Sequence, residues 1–132
     1  MRHSHTLSLL AGAAALILVP AAALAADAKG EIVTAETHAG LASTAADIAG
    51  VHMHLHHAVN CLEGPTGKDY DAKQMNPCAN SGAGAIPDTM DAATKTKLAA
   101  AVAKAESGIA ASDIVVAKQD ATATSEMLKA IK

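Results

Sequence analysis

Apolar residues recur every seven positions through the first half of the chain, at Leu41, Ile48, Leu55 and Leu62. Val51, Val59, Thr44 and Ala45 occupy the intermediate places. At about 100° per residue these positions fall on one stripe of a helix. Glu36, Ser43, Asp47 and His54 lie opposite. The pattern predicts a first helix over residues 33–62 that buries one ridge. Its strict sevenfold spacing predicts near-parallel packing against another helix. Gly64-Pro65-Thr66-Gly67 supplies both breakers expected just past a helix C-terminus. Residues 68–87 carry no sustained period, and Asn76-Pro77 and Ser81-Gly82-Ala83-Gly84 are turn material.

Pro87-Asp88-Thr89 predicts the start of a second helix, with an Asp or Thr cap ahead of residues 90–105. Leu98, Val102, Ala105 and Ile109 share its stripe, and Gly108 ends or kinks it. A third helix starts near Ser112-Asp113 and reaches Ile131, with Val116, Ala123, Met127 and Ile131 inward. If Gly108 only kinks the chain, the second and third helices form one rod. Either way the fold class is all-α, a helical hairpin or three-helix arrangement with a long loop. A lone hairpin leaves one side of each helix exposed, and pairing into a four-helix bundle homodimer would cover it.

Composition sharpens this picture. The chain has no Phe, no Trp and one tyrosine, Tyr70, and much of its apolar content is alanine. Alanine favours helix strongly but buries little area, at about 25 cal/mol per Å². The formal net charge is −3 and no basic run occurs, which argues against nucleic acid and against an anionic membrane surface.

The N-terminus reads as an address. Arg2, His3 and His5 make a basic start, residues 7–19 are apolar, Pro20 breaks the run, and Ala23-Leu24-Ala25 fits a small-x-small cleavage site. Residues 1–25 are expected to be a cleaved signal peptide and 26–132 a single helical domain, in the periplasm or secreted. The alternative is a retained N-terminal anchor. No other segment is apolar for the roughly 20 residues that a span needs, so no stable membrane insertion is expected after cleavage. Cys61 and Cys78, an even pair in an exported chain, are expected to form a disulfide. Closing a loop of about 18 residues contributes about 3 kcal/mol by the chain-entropy argument.

Candidate chemistry is concentrated in Val51-His52-Met53-His54-Leu55-His56-His57-Ala58-Val59-Asn60-Cys61. On one continuous helix His52 and His56 are an i, i+4 pair about 40° apart, beside the apolar ridge, and can chelate one ion. His38 falls on the same line but about 21 Å from His52, too far to share its site within one chain. It could join one across an antiparallel dimer. His54 and His57 form an outer i, i+3 pair on the side of Cys61, and a disulfide removes Cys61 as a third ligand. Met53, His56 and His57 lie within about 100° of one another, a thioether–imidazole set suited to Cu(I). Binding through free imidazole is expected to fail as pH drops through about 6.5.

His-rich tracts of this kind are read as sites for copper, zinc or nickel. The alternative cofactor is b-type haem, with His52 or His56 axial beside Leu55 and Val59, in an electron-transfer bundle. Cys-x-x-Cys-His does not occur, which excludes covalent haem attachment. A third reading is a structural or partner-binding helical protein whose histidines respond to pH. No Ser/His/Asp order, Gly-rich phosphate loop or His-Glu-x-x-His motif is found, so no enzyme is expected.

With its alanine-rich helical character, exported start and His52, His54, His56 and His57, the chain resembles the small histidine-rich periplasmic helical-bundle proteins that take up copper, zinc or nickel. The resemblance implies metal buffering or delivery in the periplasm.

Overall fold

The helix that the sevenfold pattern carries unbroken through residues 33–62 is two helices in the computed structural model: α1 (Ala28–Thr44) and α2 (Ile48–Glu63). The structure describes residues 26–131, so the expected signal peptide at 1–25 lies outside the described residues. Ala45 leaves the helix with ψ 148°, and Asp47 is extended at φ −138°, ψ 169°. The Asp47 carboxylate then accepts the Gly50 N–H at 2.8 Å and caps α2. Just upstream, the Ser43 and Thr44 hydroxyls donate back to the Gly40 and Leu41 carbonyls. Such local bonds compete with continuation of a helix.

The same device recurs further along. After the short α3 (Ala85–Asp88), α4 (Ala92–Ala110) and α5 (Ile114–Lys129) are joined through Ala111, Ser112 and Asp113. Asp113 accepts from Val115 and Val116 N–H, at 2.8 and 3.0 Å. The continuous-rod alternative is therefore excluded. Gly108 neither ends nor kinks α4 but is buried within it, where a Cβ would come within 2.7 Å of Leu55 Cδ1. Its lack of a side chain is what lets α4 approach α2 and α5 there. The cap of α4 is Asp91, not Asp88 or Thr89, because α3 takes up residues 85–88.

The fold is all-α with a disulfide-closed loop, as expected, and no strand occurs among the described residues. Splitting the first helix yields four long helices among the described residues. Each runs antiparallel to the one before; α1 packs on α2 and α5, and α4 on α5 and α2. The side that a lone hairpin would expose is thus covered within the chain itself.

Leu55, Leu62, Leu98 and Leu128 are fully buried among Ala35, Ala39, Ala42, Ala58, Ala101, Ala105, Ala117 and Ala121. On α5 the innermost residues are Ala117, Ala121, Thr124 and Leu128, while Val116 is 46% exposed, Ala123 is half-buried, and Met127 and Ile131 flank the core. The stripe is rotated from the expected one because small side chains occupy the line of closest helix approach and larger ones fill its margins.

The long connection is fastened to one end of the bundle. Cys61 and Cys78 form the expected disulfide. Asn60, fully buried, donates to the carbonyls of Asp71, Gln74 and Met75 and accepts the Asp71 N–H. Gly64 (φ 65°) and Gly84 (φ 118°) cross closely; a Cβ on Gly64 would overlap the Ala83 carbonyl, and one on Gly84 would meet the Gly64 nitrogen.

Beneath this crossing, Glu31 is fully buried and its Oε1 accepts the Gly84 N–H at 3.1 Å. Asp88 Oδ2 accepts the neighbouring Ala83 N–H at 2.8 Å. Burial, and then the negative charges of Asp88 and Asp27, push the Glu31 carboxyl from its usual 4.5 up to about 7. The native state therefore holds this proton over a range where the unfolded chain has lost it. The resulting stabilisation is full below pH 4.5 and disappears as pH rises through about 7. Glu31→Gln keeps an acceptor for Gly84 without the charge. We expect its stability relative to wild type, measured by urea unfolding at pH 5, 6, 7 and 8, to rise steadily with pH. A constant difference would contradict the assignment.

Candidate metal centre

Folding α1 back on α2 changes which histidines meet. His38 precedes Ala46, the middle of the turn, by as many residues as His54 follows it, so the two face each other across the hairpin. His57 follows His54 at i+3, one turn on, on the side of α2 turned to α1. His38 Nδ1 and His54 Nδ1 are 3.3 Å apart. The ring centroids are 5.5 Å (His38–His54), 5.1 Å (His38–His57) and 5.7 Å (His54–His57) apart, with His57 edge-on to both others. One nitrogen from each ring lies within 4.8 Å of the other two.

The three rings differ in burial. His57 is 5% exposed, and its Nδ1 is buried without a hydrogen-bond partner. An orphaned interior nitrogen is costly unless something binds it. His38 and His54 are half-buried. Burial lowers the pKa of His38, and the neighbouring His57 and His54 lower it further. Burial likewise lowers that of His57, helped by His54 and His56. The native environment thus favours neutral imidazoles, the form that ligates.

The geometry suits an ion. With metal–nitrogen bonds of about 2.0–2.1 Å, two ligands of a tetrahedral centre lie about 3.3–3.4 Å apart. The His38–His54 separation already has that value.

The other expected ligands go elsewhere. His52 and His56 do border the core, as their helical angles require, but the two rings have different partners. His52 Nε2 lies 2.9 Å from the Ala111 carbonyl oxygen. A carbonyl only accepts, so that nitrogen carries the proton, and the bond ties α2 to the α4–α5 turn. His56 Nδ1 faces Asp71 Oδ2 at 3.9 Å across the loop. Burial lowers the His56 pKa, with Asp71 acting in the opposite direction. Met53 points outward, 40% exposed. Cys61 is held in the disulfide and is not available as a ligand. His38 does not join His52, but it needs no second copy to meet other histidines, because the turn at residues 45–47 carries it back beside His54 and His57. A signal for this is present in the sequence: Asp47-Ile48 repeats the Asp113-Ile114 pair that caps and opens α5.

Comparison with protein-family models, curated proteins and solved structures finds no match to this chain.

The lowered pKa values of His38 and His57 set a stability trend opposite to that of Glu31. The unfolded chain takes up protons near pH 6.5, before the native rings do, so metal-free stability falls as pH drops from there toward the native values. We expect His57→Gln to gain stability relative to wild type as the pH is lowered from 7 to 5 in the presence of a chelator. Thermal unfolding at half-unit steps checks this; no relative gain would mean that His57 is charged as easily in the fold as outside it.

Proposed function

We propose that the chain is an exported transition-metal-binding protein that holds one ion between α1 and α2 through His38, His54 and His57. The observation that carries this reading is the convergence of three imidazoles from two helices, one with an unpartnered nitrogen in the interior. Imidazole suits copper, zinc and nickel. The two helices are already packed against each other, so little ordering is needed to bring the ligands together. The three rings face one another and not an apolar slot, which favours a single ion over a porphyrin.

Export is supported by the N-terminal pattern and by a disulfide that calls for an oxidising compartment. Metal buffering or delivery in the periplasm is the role that fits both.

Calorimetric titration of Cu(II), Zn(II) and Ni(II) into the metal-free protein tests this. His38→Ala, His54→Ala and His57→Ala should each weaken binding at least 10-fold, or about 1.4 kcal/mol. His52→Ala and His56→Ala should stay within about twofold of wild type, since the proposed set does not use them. Because burial keeps His38 and His57 neutral, affinity should hold below pH 6.5 before protons displace the ion. Absence of binding for all three ions would overturn the proposal, and equal losses in all five variants would replace the ordered centre with a loose chelating tract.

A further inference from the structure

We infer that an ion held by His38, His54 and His57 keeps a fourth coordination position that an external monodentate anion can occupy. The inference rests on the metal reading above and extends it from what the site holds to what the held ion can bind.

The first argument is ligand supply. Among the described residues no fourth His, Cys, Asp or Glu joins the three rings. Along α2, Cys61 is bonded to Cys78 and His52 to the Ala111 carbonyl, while His56, whose buried Nδ1 has no hydrogen-bond partner, lies on the other face of the helix, 3.9 Å from Asp71. The ligands sit inside α1 and α2, where main-chain carbonyls are engaged in helix hydrogen bonds. Those carbonyls point along the helix axes and not toward the rings at the seam.

The second argument is charge. Three neutral imidazoles leave the full double charge on a divalent ion, whereas thiolate or carboxylate ligands would have offset it. A small anion is therefore a better fourth ligand than a neutral donor. The third argument is access. His57 closes the site from the interior, while His38 and His54 are half-buried and lead to solvent. Exchange would need only that a water in the fourth position leave as the anion enters, with no change of oxidation state.

The test loads the intact protein with Co(II) and follows its visible d–d absorption during titration with sodium azide. Tetrahedral Co(II) bound by imidazoles gives intense bands, and the inference expects azide to shift them with saturation at one azide per ion. His52→Ala should behave as wild type. If Co(II) does not bind at all, the metal reading itself fails; if it binds with only weak bands, the three-imidazole centre with one open position is wrong. If bands form but ignore azide, the fourth position is filled and this inference alone is wrong. Doubling of the mass on Co(II) loading, seen by light scattering, would likewise overturn it by showing that a second copy supplies the fourth ligand.

Discussion

The reversal of direction at Ala45-Ala46-Asp47 decides where every histidine of the described residues goes. A continuous helix would separate His38 from His54 by more than four turns. The reversal places their ring nitrogens 3.3 Å apart. The cap that terminates this reversal, Asp47 on the Gly50 N–H, contributes only about 1 kcal/mol. That is enough because the alternatives are close in local energy: alanine continues a helix or leaves it, and the packing of α1 on α2 and α5 favours leaving. Tertiary burial makes the choice, and the capping aspartate determines at which residue it falls.

At the opposite end, the bundle depends on fastening more than on apolar mass. Four fully buried leucines and a set of alanines make a modest core, and the loop that joins α2 to α4 adds little to it. The loop is held by the disulfide, by the four hydrogen bonds of Asn60 and by the contact between Gly64 and Gly84. Glu31 reaches into the same region from α1 and takes the Gly84 N–H. Its proton is favoured by the fold, whereas protons on His38 and His57 are disfavoured by it. The two trends oppose each other below about pH 6.5, so a flat pH profile of stability would conceal two opposing titrations.

Much of the fold was legible in the sequence, because helix is specified locally. Alanine content, the Gly64 stop, the Ser112-Asp113 start and the Cys61–Cys78 pair all act over short distances, and the structure contains each of them. The turn at 45–47 was not legible, because Leu41, Ile48, Leu55 and Leu62 keep their spacing across it. A sevenfold period reports which positions are alike, but it cannot report a reversal that falls between two of them. Leu41, the first member, is in fact 45% exposed, while Leu55 and Leu62 are fully buried. The site suffered from the same gap. The histidine tract was visible, but its third ligand depended on an antiparallel contact that no helical angle encodes.

The tract itself separates into two faces by simple helical geometry. At about 100° per residue, the pair His52 and His56 lies about 150° round α2 from the pair His54 and His57. One pair therefore meets the α4–α5 turn and the loop, and the other meets α1. Four histidines in six residues consequently do not act as one chelating cluster once α2 is formed. The helix would have to unwind for them to converge, and Leu55 and Val59, fully buried between the two faces, oppose that. A metal ion meeting the folded protein would thus encounter three clustered imidazoles at the α1 seam. The same ion meeting an unfolded chain encounters a flexible histidine tract. Stabilisation by metal depends on the difference between these two affinities, because binding to the unfolded chain subtracts from it. The centre stabilises the fold only so far as the turn at Asp47, by delivering His38, makes three fixed imidazoles a better ligand than four mobile ones.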